Sequence, residues 1–221
     1  HLRPRRQRQM CIRDRYAQTL DRLREMDLVY PCFLTRAELA EVLSAPHEPP
    51  TATDVVLSAD EAARRAGSGM APAWRLRTAK ALEFAESPTW LDLRTGSRRS
   101  VDMSAHGDVI VARRDIRTSY HLSVVVDDMI DGVTLVTRGM DLEDSTHVHR
   151  LLQAILEIPA PAYYHHDLVC DEDGQRLAKR HDALSISELR QSGLSAREIL
   201  SYLPDFAESA IISNDCSVFS N

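Results

Sequence analysis

The stretch "DGVTLVTRGMDLEDSTHVHRLLQAILEIPAPAYYHHDLVC", residues 131–170, joins three segments with different hydrophobic patterns. "DGVTLVTRG" is a near-continuous apolar run, and "YYHHDLVC" is a second short run; both predict buried strands. Between them, "DSTHVHRLLQAILEI" predicts an amphipathic helix capped by Asp144 or Ser145. Its inward face holds Leu151, Leu152, Ile155 and Leu156. Strands alternating with a helix predict an α/β fold.

A basic loop follows the last of these strands. "DGQRLAKRHDA", residues 173–183, places Arg176, Lys179, Arg180 and His181 within six residues of an acidic chain. A loop that leaves the C-terminal end of a strand lies where open α/β sheets bind ligands. We therefore interpret it as a phosphate-binding loop, and the alternative is a solvated turn.

The segment before residue 131 continues the pattern. "HLSVVVD", residues 121–127, predicts one more strand buried on both faces. Asp127 and Asp128 suggest paired carboxylates, but a cap and a solvated charge at a strand end are the more common use of such a pair. "HHD" at 165–167 suggests a metal cluster, which we do not expect because adjacent strand residues point to opposite faces.

The remaining elements are read from spacing and capping signals. Residues 16–26 have helical spacing, and "LVYPCFL", with Pro31, predicts an extended segment. "MAPAWRLR" and "TWLDLRTGSRRSVDM" predict strands, the latter with a turn at Thr95–Gly96. Capping boxes occur at Thr35/Glu38, Ser58/Glu61, Ser185/Glu188 and Ser195/Glu198.

Charge and composition exclude several classes of protein. The net charge is −6, but residues 1–15 hold six Arg and one Asp, so the other residues carry about −11. An acidic body argues against non-specific nucleic-acid binding. No apolar run is long enough to span a bilayer, and the four cysteines have no paired spacing. We expect a cytoplasmic monomer with reduced thiols.

Residues 1–15, "HLRPRRQRQMCIRDR", differ from the rest because they have neither a helical nor a strand period. We expect a foreign or disordered segment here. The alternative is a genuine basic arm that binds RNA.

Four motifs in a fixed order resemble a known family. "YPCFLTRAEL", "SYHLSVVVDD", "GVTLVTRGMDLEDSTHVHRLL" and "DEDGQRLAKRHDALSISELRQSGLS" are similar to the core of class I glutamyl-tRNA synthetases, over roughly residues 16–205. The resemblance implies a Rossmann-type core followed by a short helical tail. It assigns an insertion that contacts the acceptor end to 16–100, the second half of the nucleotide-binding fold to 101–170, and the signature loop with the tail to 171–221.

The resemblance also implies site residues. The basic loop corresponds to the family's second signature, Lys-Met-Ser-Lys-Ser, with Lys179 as the catalytic lysine. The implied ATP-binding set is Arg176, Leu177, Ala178, Lys179, Arg180 and His165, used with Mg²⁺. Tyr120 and Arg138 match the positions that bind glutamate, and an Arg guanidinium suits a carboxylate. A lysine on such a loop can stabilise charge that develops during adenylate formation.

Departures from the family define further expectations. The first signature, a Pro-rich loop followed by a His-x-Gly-His-like helix start, is absent from this sequence. We therefore expect a fragment that is inactive alone. Leu34 stands where a second zinc-binding cysteine would follow Cys32, and a tetrahedral site needs four ligands, so no zinc is expected.

The short segment after the loop favours the glutamyl-Q tRNA(Asp) synthetase branch of the family. That branch would use ATP, L-glutamate and tRNA(Asp), and transfers glutamate to the queuosine base. Two alternatives stay open. One is a fragment of a true glutamyl-tRNA synthetase, and the other is a non-catalytic paralogue that binds tRNA or a partner.

Overall fold

The computed structural model describes residues 2–35, 38, 57–168 and 185–201. Helices and strands alternate along this part of the chain, as the sequence predicts. In chain order they are α1 Leu2–Glu25, β1 Val29–Cys32, α2 Ala59–Gly67, β2 Ala73–Leu76, α3 Thr78–Phe84, β3 Thr89–Asp92, β4 Ser97–Ser100, β5 Ile110–Ala112, α4 Tyr120–Asp131, β6 Leu135–Gly139, a 3-10 turn Met140–Leu142, α5 Glu143–Ile155, β7 Ala162–His166, α6 Ile186–Gln191 and α7 Ala196–Ser201.

The described residues form two compact units, each treated separately below. Unit 1 comprises those within 1–90, 99–134 and 144–161, and unit 2 those within 91–98, 135–143 and 162–221. This grouping follows different limits from the ranges that the resemblance implies. The two units alternate along the chain because β6 and β7 of unit 2 are separated in sequence by most of α5, which belongs to unit 1.

Unit 1 contains a three-stranded antiparallel sheet in the order β1-β2-β5. Helices α1, α4 and α5 supply half of the residues in its apolar core cluster. The largest contributions are fully buried: Leu23, Leu28, Leu76, Val111, Leu122, Leu151, Leu152 and Ile155. The predicted inward face of α5 is confirmed, because Leu151, Leu152, Ile155 and Leu156 are all buried.

Unit 2 contains most of a sheet with strand order β4-β3-β7-β6. The residues of β3 and β4 are divided between the two units. β7 is parallel to both β3 and β6. Parallel strands need a crossover connection, and α5 is the helix between β6 and β7. The strands predicted at both ends of the stretch that opens the sequence analysis are confirmed, and they are neighbours in one sheet. Burial is confirmed for β7 but is wrong for β6, none of whose residues is buried.

The strand predicted at residues 121–127 is wrong, because this segment belongs to helix α4. Ser119 caps the helix by accepting a hydrogen bond from the Leu122 amide, and Gly132 ends it with φ +67°. Leu122, Val125 and Val126 are the buried positions, a spacing of three and four residues that fits a helix and not a strand. Three consecutive valines favour a strand locally, but the two caps and the core override them.

The starts of two helices differ from the patterns in the sequence. Residues 2–15, which have no helical period, lie in α1, which runs from Leu2. Arg, Gln, Met and Leu are good helix formers, and a proline in the first turn is tolerated. A foreign origin for this segment stays a prediction. Helix α5 begins at Glu143 after a 3-10 turn, and not after a cap at Asp144 or Ser145.

The other capping signals are found at the expected positions. Thr35 with Glu38, Ser185 with Glu188 and Ser195 with Glu198 each make reciprocal hydrogen bonds. Ser58 caps α2, while the Glu61 carboxylate pairs with Arg64 and Arg65. Among the helices that the structure describes, none combines the length and the apolar character that a bilayer crossing requires.

Candidate active site

Three parallel strands of unit 2 end on the same edge of the sheet. The register of β6 and β7 places Arg138 beside His165 and Gly139 beside His166. On the other side of β7, Asp92 of β3 is paired with Tyr163. The carboxyl edge of such a sheet is where α/β folds bind ligands, so these residues form the candidate site.

Arg138 is held by two rings of the neighbouring strand. Its Nε donates a hydrogen bond to Nε2 of His165 at 3.3 Å, and its guanidinium carbon lies 5.5 Å from the centroid of the Tyr163 ring. The Tyr163 and His165 rings are parallel within 1°, with centroids 6.1 Å apart. His165 is only 2% exposed. The guanidinium is therefore oriented by a buried surface, and Arg138 is not a solvated charge after a strand.

A second arginine, Arg94, lies on the β3 side of this edge. Arg94 forms a two-pronged ion pair with Asp167, with Nη1–Oδ1 at 2.7 Å and Nη2–Oδ2 at 3.1 Å. The hydrogen bond that Arg94 donates to Asp167 raises the pKa of Arg94. The Arg94 amide also donates to the carboxylate of Asp92. The pair ties the turn after β3 to the end of β7.

Gly139 follows Arg138 at a point of close approach. A Cβ at this position would overlap the Asp141 carboxylate and lie 3.0 Å from a methyl group of Leu168. Any side chain here would displace these two residues. The glycine therefore lets the chain turn closely past the end of β6.

Tyr120 lies in unit 1, as the first residue of α4. Its ring meets the edge of the His149 ring, with centroids 5.4 Å apart, and it is 49% exposed. His149 in turn is within hydrogen-bond distance of His121, Nε2 to Nδ1 at 3.1 Å. Tyr120 therefore presents an accessible phenol on a support of two imidazoles.

Comparisons with known proteins bear on this arrangement. The family model for the catalytic domain of class I tRNA synthetases for Glu and Gln matches residues 3–210. The chain belongs to this family.

Relatives within this synthetase family are 34–39% identical to the chain over the aligned residues. The glutamyl-Q tRNA(Asp) synthetase of Rhodobacter capsulatus is 39% identical over 198 residues, which are 83% of this chain and 69% of that protein. The Nocardia farcinica protein of the same name is 39% identical over 198 residues, 87% of this chain and 60% of the relative. The glutamate–tRNA ligase 2 of Gluconobacter oxydans is 34% identical, over 86% and 43% of the two chains. The chain thus spans roughly two thirds or less of these relatives.

Solved structures support the fold of this synthetase family. The glutamate tRNA ligase of Elizabethkingia meningosepticum superimposes with a TM-score of 0.58 and 21% identity, over 82% of this chain and 36% of that one. This family consists of ligases, and the prediction of a class I synthetase α/β core is confirmed.

The positions implied by the family resemblance are now placed in part. Arg138 and His165 are in direct contact in unit 2, and Tyr120 lies in unit 1. The signature-loop residues Arg176, Leu177, Ala178, Lys179 and Arg180 lie outside the described residues. Their roles stay predictions, as do those of Tyr120, Arg138 and His165.

Several contacts were not predicted. Asp92, Arg94 and Asp167 assemble from positions up to 75 residues apart, which no local pattern reveals. From the sequence, Asp167 is considered only as part of "HHD", a possible metal cluster. His121 and His149 were missed because residues 121–127 were interpreted as a strand.

The acidic residues of α4 and the candidate metal ligands can now be compared with the expectations from the sequence. Asp127 is not a solvated charge at a strand end: it lies in α4 and accepts a hydrogen bond from the Tyr16 hydroxyl at 2.7 Å. Within 2–35, 38, 57–168 and 185–201, no three His, Cys, Asp or Glu residues group as metal ligands. Cys32 is buried in β1. The expectation of no zinc stays a prediction.

Proposed function

We propose that this chain carries part of the active site of an ATP-dependent ligase that activates L-glutamate and transfers it to tRNA(Asp), on the queuosine base. The observation that carries the proposal is the orientation of Arg138 at the carboxyl edge of the parallel sheet by His165 and Tyr163. A guanidinium that is fixed in this way can receive a carboxylate through two parallel hydrogen bonds.

Glutamate fits this chemistry because it has two carboxylates and one ammonium group. Arg138 would bind one carboxylate of glutamate. A contact of Tyr120 with glutamate rests on the family resemblance alone. The reacting carboxylate then attacks the α-phosphorus of ATP, which gives glutamyl-adenylate and releases pyrophosphate. Mg²⁺ bound to ATP supplies charge neutralisation in this reaction, and Lys179 stabilises the developing phosphate charge.

The tRNA acceptor is the finer part of the proposal. Relatives named glutamyl-Q tRNA(Asp) synthetase are 38–39% identical to the chain, compared with 34% for the relatives named glutamate–tRNA ligase 2. This difference supports queuosine in tRNA(Asp) as the acceptor. Since ATP and tRNA are cytoplasmic, we propose that the protein acts there. We also propose a monomer, which light scattering after size exclusion would test.

The second candidate is transfer to the 3′ end of tRNA(Glu), as the names of the less similar relatives say of those proteins. The third is a non-catalytic protein that binds tRNA or a partner, which would tolerate Ala178 in place of the family's serine. We propose that the 221-residue chain alone forms no adenylate, because its sequence has no His-x-Gly-His signature.

The experiment uses a restored enzyme, in which the N-terminal segment of the Rhodobacter capsulatus relative precedes this chain. We expect glutamate-dependent ATP–pyrophosphate exchange, with no exchange for glutamine or aspartate. Labelled glutamate should then transfer to tRNA(Asp) that contains queuosine. The matched control is the same tRNA with guanosine at that position, which should stay unlabelled.

Each alternative has its own result in this assay. Labelling of tRNA(Glu) at its 3′ end would establish the glutamate–tRNA ligase instead. Tight tRNA binding without exchange would establish the non-catalytic protein. Glutamate-dependent exchange by the 221-residue chain would overturn the expectation that it is inactive alone.

A further inference from the structure

The contact between Arg138 and His165 fixes the protonation of the imidazole. All the N–H groups of a guanidinium are donors, and an arginine side chain has no acceptor. Because Nε of Arg138 donates to Nε2 of His165, this imidazole nitrogen must carry a lone pair. The ring is then neutral, with its proton on Nδ1.

The imidazole has a fixed position. His165 is nearly fully buried, and its ring lies parallel to that of Tyr163, which is buried as well. The backbone at His165 is held by the parallel pairing with β6. The lone pair on Nε2 is therefore aimed at Arg138 by the sheet itself.

We propose that His165 is a positioning residue, whose unprotonated Nε2 holds Nε of Arg138 and sets the direction of the guanidinium. Because Nε is engaged, a carboxylate that pairs with Arg138 through two hydrogen bonds uses Nη1 and Nη2. The identity of that carboxylate as glutamate rests on the proposed function. The positioning role differs from the nucleotide contact that the family resemblance implies for this histidine.

The proposal makes the site sensitive to protonation of His165. A proton on Nε2 would set a donor against the donor of Arg138 and place two positive charges in contact. The charged and titratable groups at the ends of the adjoining strands are Arg138 on β6, Asp92 and Arg94 at the end of β3, and Tyr163, Tyr164, His166 and Asp167 along β7. Glutamate binding should therefore weaken as the pH falls and His165 takes up a proton.

The first test is nuclear magnetic resonance on the 221-residue chain. We expect His165 in the Nδ1–H tautomer, and we expect the Nε–H signal of Arg138 to shift in step with protonation of His165. His165→Leu should remove this pH dependence. His166→Leu, the same change one residue along the strand, should preserve it. An Nε2–H tautomer, or an Arg138 signal that ignores His165, would overturn the proposal.

The second test is kinetic, in the restored enzyme. His165→Leu should raise the KM for L-glutamate by roughly tenfold, the scale of one hydrogen bond to a charged group, and leave the KM for ATP unchanged. His165→Gln should recover part of the loss, since its amide oxygen can accept from Nε. A raised KM for ATP with an unchanged KM for glutamate would show that His165 contacts the nucleotide instead. If the unsubstituted enzyme showed no glutamate-dependent exchange, the proposed function would fail, and the resonance experiment would still decide the role of His165.

Discussion

The two units of this chain differ in how many apolar side chains they bury. Every member of the apolar core cluster among the described residues lies in unit 1, most of them on α1, α4, α5 and the antiparallel sheet. The described residues that unit 2 buries are Asp92, Ala162, Tyr163 and His165, of which Asp92 and His165 carry a carboxyl group and an imidazole. Burying a polar group is unfavourable unless it is hydrogen-bonded, and both of these groups are.

This difference suggests a division of roles between the two units. Apolar burial in unit 1 supplies stability, while the buried polar groups of unit 2 orient charged side chains at the end of a sheet. Substitutions of the apolar core residues of unit 1 should therefore change the free energy of unfolding without changing ligand binding, and substitutions of the polar residues at the carboxyl edge of the sheet in unit 2 should do the reverse. The predictions below test this division, beginning with the largest expected effect.

Leu152→Ala should give the largest change in stability. Leu152 is fully buried in the core of unit 1, and replacing such a residue leaves a cavity. We expect the free energy of unfolding to fall by about 2–5 kcal/mol. Urea denaturation followed by circular dichroism measures this change. Leu135→Ala is the matched control, because Leu135 is 42% exposed on β6 and should cost far less. Equal losses in the two variants would contradict the division.

Lys179→Ala should give the largest change in catalysis, in the restored enzyme. Its charge is needed most when the α-phosphorus is in transfer and pyrophosphate is leaving. We expect kcat for adenylate formation to fall by roughly 10²–10³, the range for losing one preorganised donor, with a much smaller change in the KM for ATP. Quenched-flow measurement at saturating ATP distinguishes the two effects.

Arg176→Ala is the comparison for Lys179 and should cost less. If Lys179→Ala raised the KM for ATP and left kcat unchanged, the loop would bind ATP in the ground state. No change in either parameter would show that the basic cluster is a solvated turn.

Arg138→Ala tests the ligand-binding side of the division. Loss of a bidentate pair should lower kcat/KM for glutamate in the restored enzyme by tenfold or more, which corresponds to about 1.4 kcal/mol upward. The free energy of unfolding should change little. Arg22→Ala removes another arginine that pairs with a carboxylate, Glu157 in unit 1, and should leave glutamate kinetics unchanged. Unchanged kinetics in Arg138→Ala would remove Arg138 from the site.

Tyr16→Phe should produce the smallest effect, one that depends on pH. Burial, and then the hydrogen bond to Asp127, raise the pKa of Tyr16 to about 12. Because the folded protein favours the protonated phenol, the stabilisation is complete below pH 10 and is lost as the pH rises from 10 towards 12. The free energy of unfolding of the wild type should therefore be about 1 kcal/mol higher than that of Tyr16→Phe at pH 8. This difference should shrink by pH 12.

The midpoints of urea denaturation of wild type and Tyr16→Phe, measured at pH 8, 10 and 11.5, test this prediction. Tyr164→Phe, which removes a phenol from unit 2, serves as the control. A constant difference between wild type and Tyr16→Phe would show that the hydrogen bond does not control the titration.

The sequence predicts the elements of unit 2 better than their contacts. Strands β6 and β7 follow from their apolar runs and helix α5 from its hydrophobic period, although only α5 and β7 bury residues fully. Helix α4 was missed because three valines were weighed above two caps, although Ser119 and Gly132 are visible in the sequence as signals of a helix start and end. Local pattern carries no information on the ion pair of Arg94 with Asp167, which is made only when β3 and β7 become neighbours.

The strand order β4-β3-β7-β6 has a consequence for synthesis of the chain. β7 is the last strand made among the described residues, yet it lies between two strands made earlier. After Gly139 leaves the ribosome, reaching Ala162 takes on the order of 1–4 s at ordinary elongation rates. During that interval β3 and β6 cannot adopt their final pairing, and Arg138 has no His165 to contact. The binding edge is therefore completed in one late event, the insertion of a single strand.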